Sequence, residues 1–304
     1  MDGPARALAL CVEPDEDCLL IGAGHWPRSV DRRTPGLPPW PQGQFGTVAL
    51  RLPKARDEFE MLAQAGAGAL TPGGTLYLFG GKDEGIASAG RALAGTFERV
   101  ETILTKFHAR VLAARSPKAG LKSGLAAWRR TVTFSQGGTA FSHVTYPGVF
   151  ASGRLDAGTE FLLDVLPAVG GTVLDFACGS GPIAQVLGRR HPEAAFTLAD
   201  IDAIALAAAR ENVAGAPAHQ IAKLADLPPA AFDAIVSNPP IHTGIAQNFA
   251  VLRDLLAAAP DHLARGGEIF LVAQRTVPVA KLAGALTARR LAENMSFIVW
   301  SLTR

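Results

Sequence analysis

The chain has 304 residues, a hydrophobic fraction of 48% and a formal net charge of +2. This length favours two domains of ordinary size, and the near-neutral charge excludes a polycation. No apolar stretch is long enough to span a bilayer, and the three cysteines lack metal-ligand spacing, so we expect free thiols, a reducing compartment and no metal site. No signal-peptide pattern is evident at the start, and we expect a soluble cytoplasmic protein, without a membrane partner.

Strands and helices are predicted to alternate along the chain. The first half favours strands at 8–12, 19–21, 47–50 and 75–79, helices at 59–69 and 86–93, and an irregular proline-rich stretch at 28–41. The second half favours strands at 173–176, 195–199, 234–236, 268–272 and 296–302, and helices at 159–165, 183–190, 203–213, 248–264 and 281–286. This alternation predicts an α/β protein with doubly wound, mainly parallel sheets.

A short internal repeat suggests that the two halves share one fold. The segment Leu70-Thr-Pro-Gly-Gly-Thr-Leu-Tyr-Leu is similar to Leu263-Ala-Arg-Gly-Gly-Glu-Ile-Phe-Leu. Upstream of these segments, Leu52 is expected to stand where the second half has Asn238. The first half would then keep the fold and lack the polar side chain that Asn238 provides in the second half.

The acidic residues are unevenly distributed, since none lies between Glu101 and Asp156. That interval contains the basic residues Lys106, Arg110, Arg115, Lys118, Lys122, Arg129, Arg130 and Arg154. Such a segment can face the phosphates of a nucleic acid, with Arg129 and Arg130 as candidate contacts. A solvated basic surface is the alternative interpretation.

The sequence Asn238-Pro239-Pro240 follows a short buried strand and ends it. Two prolines have no amide hydrogens to donate and fixed φ angles, so they cannot continue a central strand. In an open α/β sheet, ligands bind beyond the carboxyl ends of the strands. A side-chain amide held there suits hydrogen bonding to a planar amine, although Asn238 could instead only cap the next helix.

A glycine-rich turn, Ala177-Cys-Gly179-Ser-Gly181, follows the strand at 173–176 and opens a helix. Its glycines let a ligand approach the backbone, and the helix N-terminus offers free amides. Asp175 precedes the turn, and Asp200, at the end of the next strand, can accept the hydroxyls of a ribose or cap the following helix. A dehydrogenase would need a similar loop. However, the glycine spacing of this turn differs from that of a dehydrogenase loop, and Asp175 suits a cationic ligand better than a pyrophosphate.

Together, the segment from Asp175 to Gly181, Asp200 and Asn238-Pro239-Pro240 resemble the class I S-adenosylmethionine-dependent methyltransferases. Residues 146–163, Tyr-Pro-Gly-Val-Phe-Ala-Ser-Gly-Arg-Leu-Asp-Ala-Gly-Thr-Glu-Phe-Leu-Leu, are similar to the ribosomal RNA small subunit guanine-N2 methyltransferases of the RsmC type. The resemblance implies tandem Rossmann-like class I methyltransferase domains. The first, 1–135, would be degenerate, and the second, 136–304, would bind the cofactor and catalyse.

The resemblance also implies roles for individual residues. The cofactor S-adenosyl-L-methionine would be bound by the residues Asp175, Ala177, Gly179, Gly181, Asp200, Ile201, Thr159 and Asn238. Phe150, Asp156 and Thr159 would close its methionine end. The partner would be ribosomal RNA or the small ribosomal subunit, and we expect a monomer.

For catalysis, we expect the Asn238 side-chain oxygen and the Pro239 carbonyl to accept the two N–H bonds of guanine's amine, with Pro240 holding the corner rigid. Phe150, Ile241 and His242 are also expected to contact the substrate. Ile241 stands where the family usually has an aromatic residue to stack on a flipped base, and it can still pack on the base. His242 could take the product proton, although a histidine two residues past such a motif is more often structural. Three alternatives stay open: a protein glutamine amide as substrate, an adenine amine as substrate, or an inactive RNA-binding protein that keeps the fold.

Overall fold

A computed structural model of the chain describes residues 1–24, 26–122, 124–151, 153–243, 246–247 and 249–304, with the backbone alone for residues 242, 243, 246 and 247. It divides into two compact units, Met1–Arg129 and Arg130–Arg304. The boundary expected after residue 135 lies inside the strand Arg130–Gln136. Because this strand pairs along its whole length with Thr139–Thr145, the hairpin stays whole in the second unit.

The helices of the first unit are α1 (Gly3–Leu8), α2 (Arg56–Gly68) and α3 (Ile86–Leu93), with short 3₁₀ helices at Lys82–Glu84 and Leu125–Trp128. Its strands are β1 (Cys18–Ile21), β2 (Arg28–Val30), β3 (Phe45–Arg51), β4 (Leu70–Gly81), β5 (Phe97–Lys106) and β6 (Ala109–Pro117). They form one six-stranded sheet in the order β2-β1-β3-β4-β6-β5, which is parallel from β2 to β4 and antiparallel at β6 and β5.

The strand predicted at 8–12 is wrong, because the chain forms helix α1 just before it. The Asp2 carboxylate caps this helix by accepting a hydrogen bond from the amide of Ala5 at 2.8 Å. Ala7 and Leu8 are buried against the face of β4 and β6. The prediction also missed β2, which lies within the stretch expected to be irregular.

The helices of the second unit are α4 (Ala157–Val165), α5 (Pro182–Arg190), α6 (Ala203–Asn212), α7 (Ala250–His262) and α8 (Val279–Leu282), with a 3₁₀ helix at Leu224–Asp226. Its strands are β7 (Arg130–Gln136), β8 (Thr139–Thr145), β9 (Thr172–Phe176), β10 (Ala195–Asp200), β11 (Ala218–Gln220), β12 (Phe232–Ser237), β13 (His242–Thr243), β14 (Ala246–Gln247), β15 (Leu263–Gln274), β16 (Thr287–Glu293) and β17 (Phe297–Thr303). The described helices of both units include none that is both long and apolar enough to cross a membrane.

The main sheet of the second unit is doubly wound, as predicted. Its order is β11-β10-β9-β12-β15-β17-β16, with parallel pairing from β11 to β15. Successive residues point to opposite faces, so that Val173 and Val236 pack with α4, α5 and α6, whereas Leu174 and Ile235 pack with α7. These two apolar layers cover both faces of the parallel strands and fix their carboxyl ends at one edge.

The strand registers support the internal repeat and correct one of its correspondences. In the first sheet Phe45 pairs with Leu70, and Thr47 then pairs with Thr75 across an irregularity. In the second sheet Phe232 pairs with Leu263, and Ala234 pairs with Glu268 across the same irregularity. Counting along the strands from these pairs places Arg51 at the position of Asn238. The expected correspondence of Leu52 with Asn238 is therefore wrong.

Arg51 is held by two carboxylates at the end of β3. Its guanidinium makes a bidentate pair with Glu84 at 2.5 and 2.7 Å, and its Nη2 lies 3.4 Å from an oxygen of Asp2, the N-cap of α1. The hydrogen bond from Arg51 lowers the pKa of Glu84. The first unit thus has an ion-paired cation where the second unit has an amide.

Candidate active site at the carboxyl edge of the second sheet

The predicted polar residues meet where three adjacent parallel strands end. β9 lies between β10 and β12, so the turn after Phe176, the acid Asp200 and the amide Asn238 occupy one edge of the sheet. Ser237 donates its hydroxyl to the carbonyl of Phe176 at 2.7 Å, which ties the ends of β12 and β9 together. This edge is where an open α/β sheet places its ligand.

The turn after β9 contains three left-handed residues. Ala177 and Gly179 have φ angles of 56°, and Gly181 has a φ angle of 80°. A methyl group at Gly179 would meet nothing within 4 Å, whereas one at Gly181 would crowd Ala209 at 3.3 Å. Gly181 therefore allows close packing on α6, and Gly179 leaves open space above the turn.

Asp175 lies beneath the turn and is fully buried. One oxygen of its carboxylate accepts from the amide of Ala184 at 3.1 Å, and Oδ1 has no hydrogen-bond partner among the described residues. Burial raises the pKa of Asp175 to about 8, and the nearby Asp200 adds to this rise. A buried carboxylate with an unused oxygen favours a cationic partner, because such a partner compensates the cost of burying the charge.

Asp200 supports the turn from the next strand. Its Oδ2 accepts from the amide of Gly179 at 2.7 Å and its Oδ1 from the amide of Asp202 at 2.8 Å. Burial raises the pKa of Asp200, although these hydrogen bonds partly offset the rise. The N-cap of α6 is Asp202 rather than Asp200, so the capping alternative for Asp200 is wrong. Ile201, the next residue along the chain, is 39% exposed.

Asn238 is oriented by two residues, Asp156, which is the N-cap of α4, and Thr159 in its first turn. Its Nδ2 donates to Asp156 Oδ2 at 2.9 Å and to the hydroxyl of Thr159 at 3.0 Å. A carboxylate can only accept, so the atom that faces Asp156 must be the amide nitrogen. These are the side-chain hydrogen bonds of Asn238 within the described part of the chain, and they leave Oδ1 to accept from a ligand.

The other residues expected to contact substrate have different surroundings. Phe150 is 67% exposed, whereas Ile241 is 7% exposed and packs in the apolar layer that contains Leu174 and Ile235. Such burial disfavours the expected contact between Ile241 and a base. Pro239 is buried and Pro240 is exposed. The side chain of His242 lies outside the described residues.

The basic interval is divided between the two units. Arg129 follows the last 3₁₀ helix of the first unit and Arg130 begins β7 of the second, and both are exposed. In the first unit, Arg115 pairs with Glu101 at 2.5 Å, and the ammonium of Lys118 donates to the carbonyl of Ala94 at 2.7 Å. Part of the interval therefore makes its contacts within the first unit itself.

Sequence reasoning missed the role of Asp156 in orienting Asn238. Asp156 is the N-cap of α4, and the same oxygen that binds Asn238 accepts from the amides of Gly158 and Thr159 at 3.0 and 3.1 Å. An aspartate immediately before a helix is a recognisable cap, but its second partner, 82 residues away, is visible only in the fold. In the described residues, no group of three or more His, Cys, Asp or Glu side chains is placed to hold a metal ion.

Comparison with known proteins agrees with this geometry. Residues 140–301 match the Methyltransferase small domain family and residues 32–131 match the Methyltransferase small domain N-terminal family. A solved structure of a Thermus thermophilus 16S rRNA N2 methyltransferase (RsmC) has the same fold, with a TM-score of 0.82, 22% identity, and coverage of 100% of this chain and 92% of that one.

Two curated relatives are named ribosomal RNA small subunit methyltransferase C. The protein from Stutzerimonas stutzeri (strain A1501) is 34% identical, and the match covers 96% of this chain and 92% of the relative. The protein from Pseudomonas aeruginosa (strain UCBPP-PA14) is 36% identical, with 87% of this chain and 81% of the relative covered. With identity at this level over nearly its whole length, the chain belongs to the ribosomal RNA small subunit methyltransferase C family.

Proposed function

We propose that the second unit is an S-adenosylmethionine-dependent methyltransferase that methylates the exocyclic N2 of a guanine in small-subunit ribosomal RNA. The observation that carries the proposal is the orientation of Asn238, whose Nδ2 is bound to Asp156 and Thr159 while Oδ1 is left for a substrate amine. The relatives are named for ribosomal RNA small subunit methylation, and the similar Thermus thermophilus structure is a complex with AdoMet and guanosine.

The residues at the sheet edge fit this cofactor. The unpartnered, buried Oδ1 of Asp175 suits the amino group of its methionine portion, and the open space above Gly179 admits that portion against the backbone. Asp200 retains free lone pairs for ribose hydroxyls, and the exposed Ile201 suits the adenine. Ala177 and Gly181 shape the turn, and Thr159 and Phe150 are proposed to border the methionine end. When bound, S-adenosylmethionine supplies a methyl group activated by a sulfonium.

The chain's own residues must position the amine, because a guanine amine is a poor nucleophile. Its lone pair is delocalised into the ring. Asn238 Oδ1 and the Pro239 carbonyl accept its two N–H bonds, which aligns the lone pair out of the plane of the ring. Pro239 and Pro240 keep this corner rigid. The contribution of the protein is thus mainly orientation and electrostatic preorganisation.

The product proton is acidic once the methyl group is attached, so a strong base is not required. His242 remains the proposed acceptor of that proton. Phe150, with its large exposed ring, is a better candidate than the buried Ile241 for contact with the base. Arg129 and Arg130 are proposed to contact the phosphates of the RNA. A ribosomal substrate fits the cytoplasmic location expected from the sequence, and we expect the enzyme to act as a monomer.

The test is labelled methyl transfer to unmodified small subunits, naked ribosomal RNA and release-factor protein, followed by nucleoside analysis. We expect N2-methylguanosine in ribosomal RNA with the wild type and at least a hundredfold slower turnover with Asn238→Ala, at nearly unchanged cofactor affinity. Detection of methyl-adenine or methyl-glutamine as the product would mean that the substrate is an adenine amine or a protein glutamine amide instead. Calorimetry that detects no binding of S-adenosylmethionine would instead favour an inactive RNA-binding protein.

A further inference from the structure

A buried histidine contacts the glycine-rich turn at Ser180. His143, on β8, is 5% exposed and packs edge-on against the ring of Phe134 at a centroid distance of 5.3 Å. Its Nε2 is 2.8 Å from the hydroxyl of Ser180, the residue between the two glycines of the turn. Its Nδ1 is 2.7 Å from Gln185 Oε1 on α5. The histidine thus connects the hairpin of β7 and β8 to the turn.

The partners of His143 define which nitrogen carries the proton. Gln185 Nε2 donates to the carbonyl of Ser142 at 2.8 Å, so the oxygen of this amide faces His143. That oxygen only accepts, and Nδ1 must therefore carry the hydrogen. Nε2 is then the acceptor, and the hydroxyl of Ser180 donates to it. Burial lowers the pKa of His143, which favours this neutral form.

Asn212 holds the same turn from the end of α6. Its Nδ2 donates to the carbonyl of Ser180 at 2.8 Å and to the carbonyl of Val144 at 2.8 Å. Its Oδ1 accepts from the amide of Val144 at 2.7 Å. Asn212 therefore bonds to β8 as a neighbouring strand would, and it connects that strand to the backbone of the turn.

These side-chain contacts add to the turn's own backbone hydrogen bond, in which the amide of Gly181 donates to the carbonyl of Cys178 at 2.8 Å. Three of its five residues are left-handed, a conformation that costs energy for Ala177 in particular. Asp200 accepts from the amide of Gly179, His143 accepts from the hydroxyl of Ser180, and Asn212 donates to the carbonyl of Ser180.

We propose that His143 and Asn212 are positioning residues that hold the glycine-rich turn in its cofactor-binding conformation through Ser180. This inference rests on the proposed function, because it concerns the affinity of the same site for S-adenosylmethionine. Neither residue needs to touch the cofactor. Losing the contact with Ser180 lets the turn relax, so cofactor affinity falls while the orientation of Asn238 is unchanged. The expected kinetic result is a higher KM for S-adenosylmethionine at a nearly constant kcat.

Two substitutions of similar size separate positioning from a general structural role. In His143→Gln the side-chain oxygen can reach the place of Nε2 and accept from Ser180, whereas in His143→Asn the amide reaches only the place of Nδ1. Calorimetric titration of the full-length protein with S-adenosylhomocysteine is expected to show nearly wild-type affinity for His143→Gln. We expect about tenfold weaker binding for His143→Asn and for Ser180→Ala.

The matched control is Gln136→Met, on the same hairpin, because the side chain of Gln136 donates at 2.7 Å to Asp164, a residue of α4 and not of the turn. Its affinity should equal that of the wild type. The double variant His143→Asn with Ser180→Ala should bind about as weakly as His143→Asn alone. Both substitutions remove the same hydrogen bond between Ser180 and His143, and His143→Asn already removes the 3.4 Å contact between Nε2 and Asn212 Nδ2 as well.

Equal affinities for the Asn and Gln variants, or additive losses in the double variant, would overturn the inference. Should His143→Asn fail to fold, Ser180→Ala alone decides: wild-type affinity in that variant contradicts the inference. A wild type that does not bind S-adenosylhomocysteine contradicts the proposed function instead, so the two failures are distinguishable.

Discussion

Asp156 binds Asn238 through the same carboxylate oxygen that caps helix α4. This oxygen accepts from the Asn238 amide at 2.9 Å and from the amides of Gly158 and Thr159 at 3.0 and 3.1 Å. The end of β12 and the start of α4 are therefore joined at one atom. The orientation of the candidate catalytic amide depends on a helix cap, and this dependence can be tested.

Replacing Asp156 by serine should separate the two roles of the carboxylate. Serine is about as good an N-cap as aspartate, but its shorter side chain is not expected to reach Asn238. We expect Asp156→Ser to unfold at nearly the wild-type urea concentration and to lose about a hundredfold in turnover. Asp156→Ala should lose the same activity and also about 1 kcal/mol of stability. Wild-type turnover in Asp156→Ser would show that this hydrogen bond does not orient the amide.

Asp175 should release a proton when the cofactor binds. Its pKa of about 8 means that the carboxyl is mostly protonated at neutral pH, and a cationic partner favours the ionised form. Calorimetry at pH 7 in buffers of different ionisation enthalpy should show a net release of protons on binding S-adenosylmethionine. This release should be lost in Asp175→Asn, which should also bind the cofactor more weakly. If the proton release is unchanged in Asp175→Asn, the proton must come from another group.

The same pKa predicts that Asp175 destabilises the protein without cofactor as the pH rises. The folded state holds this proton more tightly than the unfolded state, whose carboxyl has the ordinary pKa of 3.8. The contribution is therefore most favourable below pH 3.8 and is lost as the pH rises through about 8. In urea unfolding, Asp175→Asn should be more stable than the wild type at pH 8, by an amount that shrinks towards pH 4.

Replacing Ala177 by glycine should increase the stability of the folded protein. Its φ angle of 56° places an alanine in the left-handed region, which favours glycine. Ala177→Gly is expected to raise the free energy of unfolding by about 1 kcal/mol, and Gly179→Ala, at the same φ angle, to lower it by a similar amount. Urea unfolding without cofactor measures both. A stability loss in Ala177→Gly would contradict the left-handed conformation.

The Arg51–Glu84 pair should stabilise the first unit only above the pKa of Glu84. Arg51 lowers that pKa below its ordinary 4.5, so the contribution is complete above 4.5 and is lost as the pH falls through the lowered value. Glu84→Gln should cost about 1 kcal/mol at pH 7, since the pair is bidentate but partly exposed. Unfolding at pH 7 and again at a pH below the lowered pKa of Glu84 should show this difference disappearing.

The control for that pair is Glu101→Gln, in the same unit. Glu101 pairs with Arg115 at 2.5 Å but is mostly exposed, so its loss should change stability little at either pH. Equal effects of the two substitutions would mean that the position of Arg51 at the strand end has no special importance.

The parts of the site that lie close together in the sequence were predictable. The turn from Ala177 to Gly181 and the break at Asn238 combine a buried strand with residues that end it, and both patterns are local. The internal repeat was also detectable, because β4 and β15 contain similar segments. The position equivalent to Asn238 was predicted one residue too late, at Leu52. The register of β3 is set by its pairing with β4, which begins with Phe45 and Leu70, and this pairing is visible only in the structure.

The parts that depend on contacts between distant residues were not predictable. Strands β5 to β8 were missed. β5 is mostly exposed, whereas β6 contains four consecutive buried residues and therefore lacks an alternating apolar pattern. The burial of Ile241 depends on how α7 covers the sheet, which no local pattern shows. The contact between Asp156 and Asn238 likewise depends on the packing of α4 against β15 and β17.

The two units repeat one contact with different chemistry. Helix α1 packs on β4 and β6 as α4 packs on β15 and β17, and its N-cap Asp2 lies 3.4 Å from Arg51 as Asp156 binds Asn238. A link between helix cap and strand end therefore persists in a half whose strand end carries an ion-paired arginine. The residue at the strand end therefore differs between the units while the contact with the helix N-cap is the same. In the second unit this contact orients an amide that is left to accept from a ligand, and in the first it adds a second carboxylate to an arginine already paired with Glu84.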